Sequence, residues 1–331
     1  RRVDQGDRDL GRAAGKATGD EMEDPGPAAV GRTWTHKPHT ISPTHTLRPA
    51  TARTCMIWFW LGALCMLLIA AFAWLSRPVE SCPEHPRVVL LPGDGRVPPD
   101  ARIPRIVWSY WHSDDVPLVV RRCVENWRRM CPGWDVRLVL GSELHRHAGA
   151  DGLPESFESM TPARRSDWLR LTLLERHGGV WVDASSILTA SLDWMVEAQA
   201  ESGAEYLGYF IDKYGEPGPP PVVDSWCMAA PPGMPFVRAW RAELCRALAM
   251  GDDAYLDALR REGRYGRLVQ RIKHPAYLII HVCAQAVLDA GRGWRLQLWR
   301  AEDTAYFLQH VSHWRRLRLY RRLLAQPAPA R

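Results

Sequence analysis

The sequence predicts an α/β fold with one membrane-crossing helix near its N-terminus, and three stretches predict it. Residues 161–189 read as a capped helix, a Gly-Gly turn and a short buried strand that ends in an acid. Residues 103–140 read as strand, helix, strand, and residues 56–75 form an apolar run without a charge. Strand, helix, strand in that order is a βαβ unit, which packs a helix on the face of a sheet with parallel strands.

Composition bounds the answer. The 331 residues could hold two average domains, but their uneven composition predicts one folded domain of about 200 residues. Hydrophobic residues make up 46%, ample for a core. The formal charge of +6 comes without a dense lysine run, and 16 Trp suit a carbohydrate-handling or interfacial protein, so no nucleic-acid partner is expected. The 8 Cys show no zinc spacing; Cys55 and Cys65 belong to the apolar run, and the other six read as free buried thiols or, in an oxidising compartment, as pairs. Asn126 is the only Asn and is followed by Trp127-Arg128, which is no glycosylation sequon.

Residues 1–55 are poor in large apolar side chains, bury too little surface to fold and are expected to be disordered. Met56 to Leu75 is long enough to cross a hydrocarbon core of about 30 Å, with Trp58, Trp60 and Trp74 near its ends, where indoles favour the interface. It exceeds a signal-peptide core of about 7–15 residues, so a retained single-pass anchor is expected. Arg48 and Arg53 balance Arg77 and Arg87, so charge leaves the orientation open; the expected side is the cytoplasmic face, or the lumenal face in a Golgi type II arrangement. Residues 76–102 carry six prolines and read as a semi-rigid stem.

Ile103 to Trp111 is the first expected strand, and Trp108, Tyr110 and Trp111 offer a stacking surface, with Trp108 also suited to the core. Leu118 to Met130 reads as an amphipathic helix with Val119, Cys123, Val124 and Trp127 on one face. Trp134 to Leu140 alternates as a second strand, and residues 141–160 read as a polar connection. Thr161-Pro162 is a helix start, since Thr caps exposed amides and Pro at the first position lacks an N–H. Gly178-Gly179 ends that helix, and Val180-Trp181-Val182 delivers Asp183 to a strand's carboxyl end, where open α/β sheets bind ligands. Asp167 and Arg170 share a helix face, and the Gly-Gly turn brings Asp183 back towards them. Two acids and a guanidinium converging on a cleft suit a polyanion bound through a metal, such as a nucleotide diphosphate sugar; a plain surface ion pair is the alternative.

Ile187-Leu188 is expected to continue the sheet, Leu192 to Met195 to form a turn or helix, and Tyr206 to Ile211 another strand. Lys213 to Pro221 reads as a flexible lid or an ordinary connection. A strand over Val222 to Ala230, a helix over Pro235 to Met250, a helix over His274 to Asp289 and a strand over Trp294 to Trp299 follow. His313 to Leu324 reads as an Arg-rich amphipathic helix for an anionic membrane surface or for docking on its own domain. The expected boundaries are 1–55, 56–75, 76–102, 103–310 and 311–331.

S-D-x-x-R followed by G-G-x-W-x-D-A-S, together with I-P-R-I-V-W-S-Y-W, resembles the signature of the capsular polysaccharide synthesis protein family over roughly residues 103–290. That family is related to D-x-D glycosyltransferases of the initiating α-mannosyltransferase type. The resemblance implies a GT-A-like fold, a Rossmann-like mixed sheet flanked by helices, and a membrane-anchored enzyme that moves a sugar from a nucleotide-sugar donor to a glycan or lipid-linked acceptor with retention. It implies catalytic roles for Asp167, Arg170 and Asp183, with Arg170 positioning donor phosphate or sugar, and donor contacts from Trp108, Tyr110 and Trp111. Acceptor contacts fall on Asp224 and Trp226. Ser185 stands where D-x-D has its second acid, so a Mn²⁺ or Mg²⁺ cofactor would rest on Asp183, on Ser185 through a water, and on His281. The alternatives are a catalytically weak, membrane-tethered carbohydrate-binding or scaffold protein and a basic nucleic-acid-binding protein.

Overall fold

A computed structural model describes residues 49–75, 81–93, 97–98, 100–148, 153–291 and 293–325. The chain divides into two units, residues 1–65 and 66–331. Helix α1, Pro49–Leu75, contains a 22-residue span, Arg53–Trp74, with a mean hydropathy of 2.3 and exposed apolar side chains, long and apolar enough to cross a membrane. It begins inside the expected disordered tail, whose residues 1–48 lie outside the described residues.

The elements that follow are β1 (Val88–Leu91), β2 (Ile106–Trp111), α2 (Leu118–Met130), β3 (Asp135–Leu140), α3 (Leu144–Ala148) and α4 (Pro162–His177). Next come β4 (Gly179–Val182), α5 (Asp193–Ser202), β5 (Tyr206–Phe210), β6 (Val223–Ala230), α6 (Pro235–Met250) and α7 (Asp252–Arg261). Last are α8 (Tyr265–Val269), α9 (Ile279–Asp289), β7 (Leu296–Arg300), α10 (Phe307–Val311) and α11 (Arg316–Ala325). Among the described residues the strands form one seven-stranded mixed sheet in the order β1-β7-β5-β6-β4-β2-β3. Strands β2, β3, β4, β5 and β7 share one direction, and β1 and β6 oppose it.

Period-two alternation decides which face each strand residue meets. Val107, Val180 and Val182 join a core with Cys123, Val124 and Trp127 of α2 and Met195 of α5. Trp108 and Trp181 point to the other face, into a core with Leu171 and Leu174 of α4, Trp240 of α6 and Val282 of α9. The sheet is thus covered on both sides. Helix α4 is enclosed along its middle: Asp167 through Leu174 are all buried. Thr161 Oγ1 accepts from Arg164 N at 3.3 Å, and Pro162 takes the first position. The turn into β4 needs its glycines, because Gly178 and Gly179 have φ of 62° and 100°, and a Cβ on Gly179 would lie 2.7 Å from the Ile106 carbonyl oxygen.

Several expectations change. Val88–Leu91, expected inside the Pro-rich stem, is an edge strand antiparallel to β7, because four apolar residues between prolines meet an open sheet edge. Val119 is 60% exposed and Val120 takes its place in the core. Ile187-Leu188 forms no strand: Asn126 accepts from Leu188 N at 2.8 Å and donates to Leu188 O at 3.1 Å, replacing the sheet ladder. Trp127 Nε1 adds a bond to Ser186 O at 2.9 Å, so α2 holds the segment after Asp183 in shape.

The Lys213–Pro221 segment, read as a flexible lid or an ordinary connection, is fastened. Gln270 accepts from Glu216 N at 2.8 Å, Gln270 and Gln285 both donate to Pro220 O, and Arg271 N donates to Tyr214 O at 3.0 Å. The boundary expected at residue 310 is not a structural one, since Val311, Ser312 and Arg322 are buried and Arg322 Nη2 donates to Val311 O at 3.1 Å. Leu317, Tyr320 and Leu323 of α11 stay exposed, and residues 326–331 lie outside the described residues. Cys123, Cys131, Cys227 and Cys283 are buried, while Cys55 and Cys65 are exposed.

Asn126→Leu removes both bonds to Leu188 and leaves its amide and carbonyl without those partners, a loss of about 1–3 kcal/mol. Thermal unfolding should fall by roughly 2–4 °C for each kcal/mol lost. An unchanged melting temperature would show that the segment after Asp183 does not depend on Asn126.

Candidate active site

A cavity of about 660 Å³ opens where β2, β4, β5 and β7 end and β6 begins. Four of the parallel strands bring residues to the rim: Tyr110 to His112 at the end of β2, Asp183 to Ser185 after β4, Ile211, Lys213 and Tyr214 after β5, and Tyr306 beyond β7. Carboxyl ends of parallel strands are the usual ligand side of an open α/β sheet. Helix α4 closes one wall with Ser166, Asp167 and Arg170, and Tyr277 and His281 line another.

Arg170 lies at the junction of three elements. Its Nη2 is 3.3 Å from Asp167 Oδ1 and 3.3 Å from Asp183 Oδ1, and it donates to Ser166 Oγ at 3.0 Å. Nη1 donates to Ser225 O at 2.5 Å and to Ser225 Oγ at 3.0 Å, while Nε reaches Ser166 O at 3.3 Å. The guanidinium also lies 5.1 Å from the Trp181 ring centroid, and Trp181 Nε1 donates to Asp183 Oδ1 at 2.9 Å. The two acids and the guanidinium expected to converge do so. Each guanidinium nitrogen already has a protein acceptor, so Arg170 acts here by holding Asp167, Asp183 and β6 in place rather than by offering free donors to a phosphate.

Asp167 is buried and also takes Arg164 Nη1 at 3.1 Å. Burial pushes its carboxyl up, and Arg170 and then Arg164 oppose this. Asp183 is more open, with its side chain 38% exposed and Oδ1 already engaged, so its other oxygen is the one left to meet a ligand. On β6, Asp224 is 4% exposed; Oδ1 accepts from Ser225 N at 2.7 Å and Oδ2 is buried without a well-formed hydrogen bond. Burial raises the Asp224 carboxyl; His281, the Ser225 amide and the neighbouring Tyr306 phenol oppose it. His281 Nδ1 donates to Val223 O at 2.8 Å, since a carbonyl can only accept, which leaves Nε2 with a free lone pair when the ring is neutral.

Of the expected site residues, Asp167, Arg170, Asp183, Ser185, Tyr110, Trp111, Asp224, Trp226 and His281 all line the cavity. Trp108 does not. It sits mid-strand, fully buried, with Nε1 donating to Gly178 O at 2.9 Å, so its expected donor contact is corrected to a core role. Trp226 serves both purposes: it stacks on Tyr209 at 5.0 Å and 28°, and it faces the cavity. Tyr306, Trp314, Lys213 and Tyr277 also line the cavity and were not expected there. Trp314 belongs to the segment read as a helix for a membrane surface or for docking on its own domain, and Lys213 to the segment read as a lid or an ordinary connection; only the sheet brings both to one rim.

Among the described residues no three His, Cys, Asp or Glu side chains gather into a metal cage. A half-open carboxylate beside an exposed hydroxyl, Asp183 and Ser185, fits a hard cation that takes most of its ligands from phosphate and water.

The model of the capsular polysaccharide synthesis protein family matches residues 97–249, which include Asp167, Arg170, Asp183, Asp224 and Trp226 but stop before His281. The O-glycosyltransferase braB of Annulohypoxylon truncatum is 30% identical over 151 residues, 40% of this chain and 35% of that protein. The O-glycosyltransferase PaGT of Phomopsis amygdali is 26% identical over 171 residues, 47% of this chain and 41% of that protein. The chain therefore spans about two fifths or less of the length of these relatives. Among solved structures, the PaToxG glycosyltransferase aligns with 57% of this chain and 88% of its own at 13% identity, with a TM-score of 0.32.

Asp224 gives a pH test. Its folded-state carboxyl is raised, so the native state binds the proton more tightly and stability falls as pH climbs from the unfolded carboxylate value, about 4, towards the raised one. Asp224→Asn carries no such cost. The variant should melt a few degrees above the native chain at pH 8, and the gain should vanish below about pH 4, where Asp224 is neutral in both states. A gain that persists at low pH, or no gain at all, would contradict the assignment.

Proposed function

Starting from the match to the capsular polysaccharide synthesis family, we propose that this chain is a membrane-anchored glycosyltransferase that moves a sugar from a nucleotide-sugar donor to a glycan or lipid-linked hydroxyl. The observation that carries the reading is the Arg170 junction, which holds Asp167 and Asp183 against a cavity at the carboxyl ends of parallel strands. A cavity of about 660 Å³ is in the range of those that enclose a small molecule of this size.

In the reaction the bond between the anomeric carbon and the diphosphate oxygen breaks, the acceptor oxygen bonds to that carbon, and the acceptor proton leaves with the nucleotide. Negative charge grows on the departing diphosphate. A divalent cation, Mn²⁺ or Mg²⁺, held by Asp183 and Ser185 would supply the charge that stabilises it. Asp167, paired with Arg170 and Arg164, accepts hydrogen bonds from hydroxyls of the donor. Tyr110 and Trp111 give the donor a ring face, and Trp226 and Asp224 give the acceptor a ring face and an acceptor oxygen. Resemblance to the initiating α-mannosyltransferases supports retention at the anomeric carbon, and the apolar span Arg53–Trp74 supports anchoring.

The test is release of free nucleotide from a panel of UDP- and GDP-sugars by the full chain in detergent, with Mn²⁺, Mg²⁺ or EDTA, beside Asp183→Ala. Turnover that needs a cation and falls at least about a hundredfold in the variant is expected, the scale of losing a group that stabilises charge in the transition state. No turnover together with no donor binding would leave a tethered carbohydrate-binding protein.

A further inference from the structure

The cavity that would take the donor has an electrostatic gap. A nucleoside diphosphate needs positive charge at its phosphates, yet the cations near α4 are already matched. Arg170 is shared between Asp167 and Asp183, and Arg164 between Asp167 and Asp252. Lys213 is different: it lines the same cavity, and among the described residues no carboxylate stands within ion-pair distance of its ammonium.

Its position is built. The turn Asp212–Tyr214 follows β5 and is pinned from below by Glu302, 2% exposed, whose carboxylate accepts from Asp212 N at 3.2 Å and from Lys213 N at 2.9 Å. The turn therefore sends the side chain to one place, and Nζ stands 3.8 Å from the centroid of the Trp314 ring. A cation over an indole face is held there by the ring quadrupole without losing its charge. Trp314 reaches that position through two consecutive left-handed residues, His313 with φ 51° and Trp314 with φ 59°. Non-glycine residues pay for that conformation, which persists where the surroundings demand it, often at ligand sites. Tyr306 then links the pair to the Arg170 side of the cavity: its ring lies 5.6 Å from Trp314, and its phenol faces Asp224. Burial and the neighbouring Lys273 also destabilise the charged ammonium, with Glu302 opposing, a state that an incoming anion relieves.

We propose that Lys213, seated on Trp314, is the side-chain cation that binds the diphosphate of the nucleotide donor, alongside the divalent cation named above, an inference that rests on the transfer reading. Lys213 thus sets donor affinity, while the Arg170 junction positions the acids. The same chemistry would serve a phosphate on a lipid-linked acceptor, in which case Lys213→Met would bind nucleoside diphosphates as tightly as the native chain does.

The full chain in detergent, as native protein, Lys213→Met and Lys213→Arg, is titrated with inorganic pyrophosphate, UDP, GDP and the phosphate-free nucleosides, and donor hydrolysis is followed without acceptor. Lys213→Met should weaken pyrophosphate and nucleoside diphosphate about tenfold or more, the scale of a lost charge-assisted hydrogen bond, and Lys213→Arg should stay close to native. Nucleoside binding should not change, and the loss in hydrolysis should fall on KM rather than kcat. If the native chain binds these ligands and Lys213→Met binds them equally well, Lys213 is not the diphosphate cation, whether or not it serves an acceptor phosphate, and the transfer reading stands. If the native chain binds neither pyrophosphate nor either nucleoside diphosphate, both fall together.

Discussion

The buried guanidinium of Arg170 is the constraint on which the rest of this site depends. It is 6% exposed and touches α4 through Ser166 and Asp167, the end of β4 through Asp183, and β6 through Ser225. A charge so enclosed is costly unless its donors are satisfied, and losing one partner strands the others. The arrangement therefore ties the approach angle of α4 to the register of β4 against β6. It also fixes the cavity floor before any ligand arrives.

The sheet explains why so many chain segments meet there. Strands β2, β4, β5 and β7 point their carboxyl ends to one rim, while β6 runs the other way and begins at the same rim, bringing Asp224 and Trp226 in from its amino end. Trp127 and Asn126 of α2 hold the segment after Asp183 from one side of the sheet, and α4 holds Asp183 from the other. The C-terminal segment completes the enclosure, since Tyr306 and Trp314 face Trp226 and Lys213 across the opening.

Much of this was legible in the linear chain. Thr161-Pro162, the enclosed helix and Gly178-Gly179 mark α4 and the turn into β4, and these local signals also place Asp167, Arg170 and Asp183 near one another. Helix α6 has the expected bounds, Pro235 to Met250, because Pro opens it and Gly251 follows it. Elements that depend on a distant partner were less legible. Val88–Leu91 becomes a strand only because β7 offers an unpaired edge, and Leu188 avoids one because Asn126, 62 residues away, takes its polar groups. Trp108 and Tyr110 share a strand face, yet only Tyr110 reaches the rim, a matter of where the strand ends.

The sequence by itself determined the apolar span, the α/β pattern, and the group Asp167, Arg170 and Asp183, because hydrophobic periodicity, capping and helical spacing act over a few residues. Tertiary structure alone decided that Arg170 spends its donors on protein groups, that Trp108 is core, and that Lys213 and Trp314 face the same cavity. The physical reason is distance along the chain. An ammonium and an indole 101 residues apart meet only after the ends of β5 and β7 are set side by side by the hydrogen bonds of the sheet.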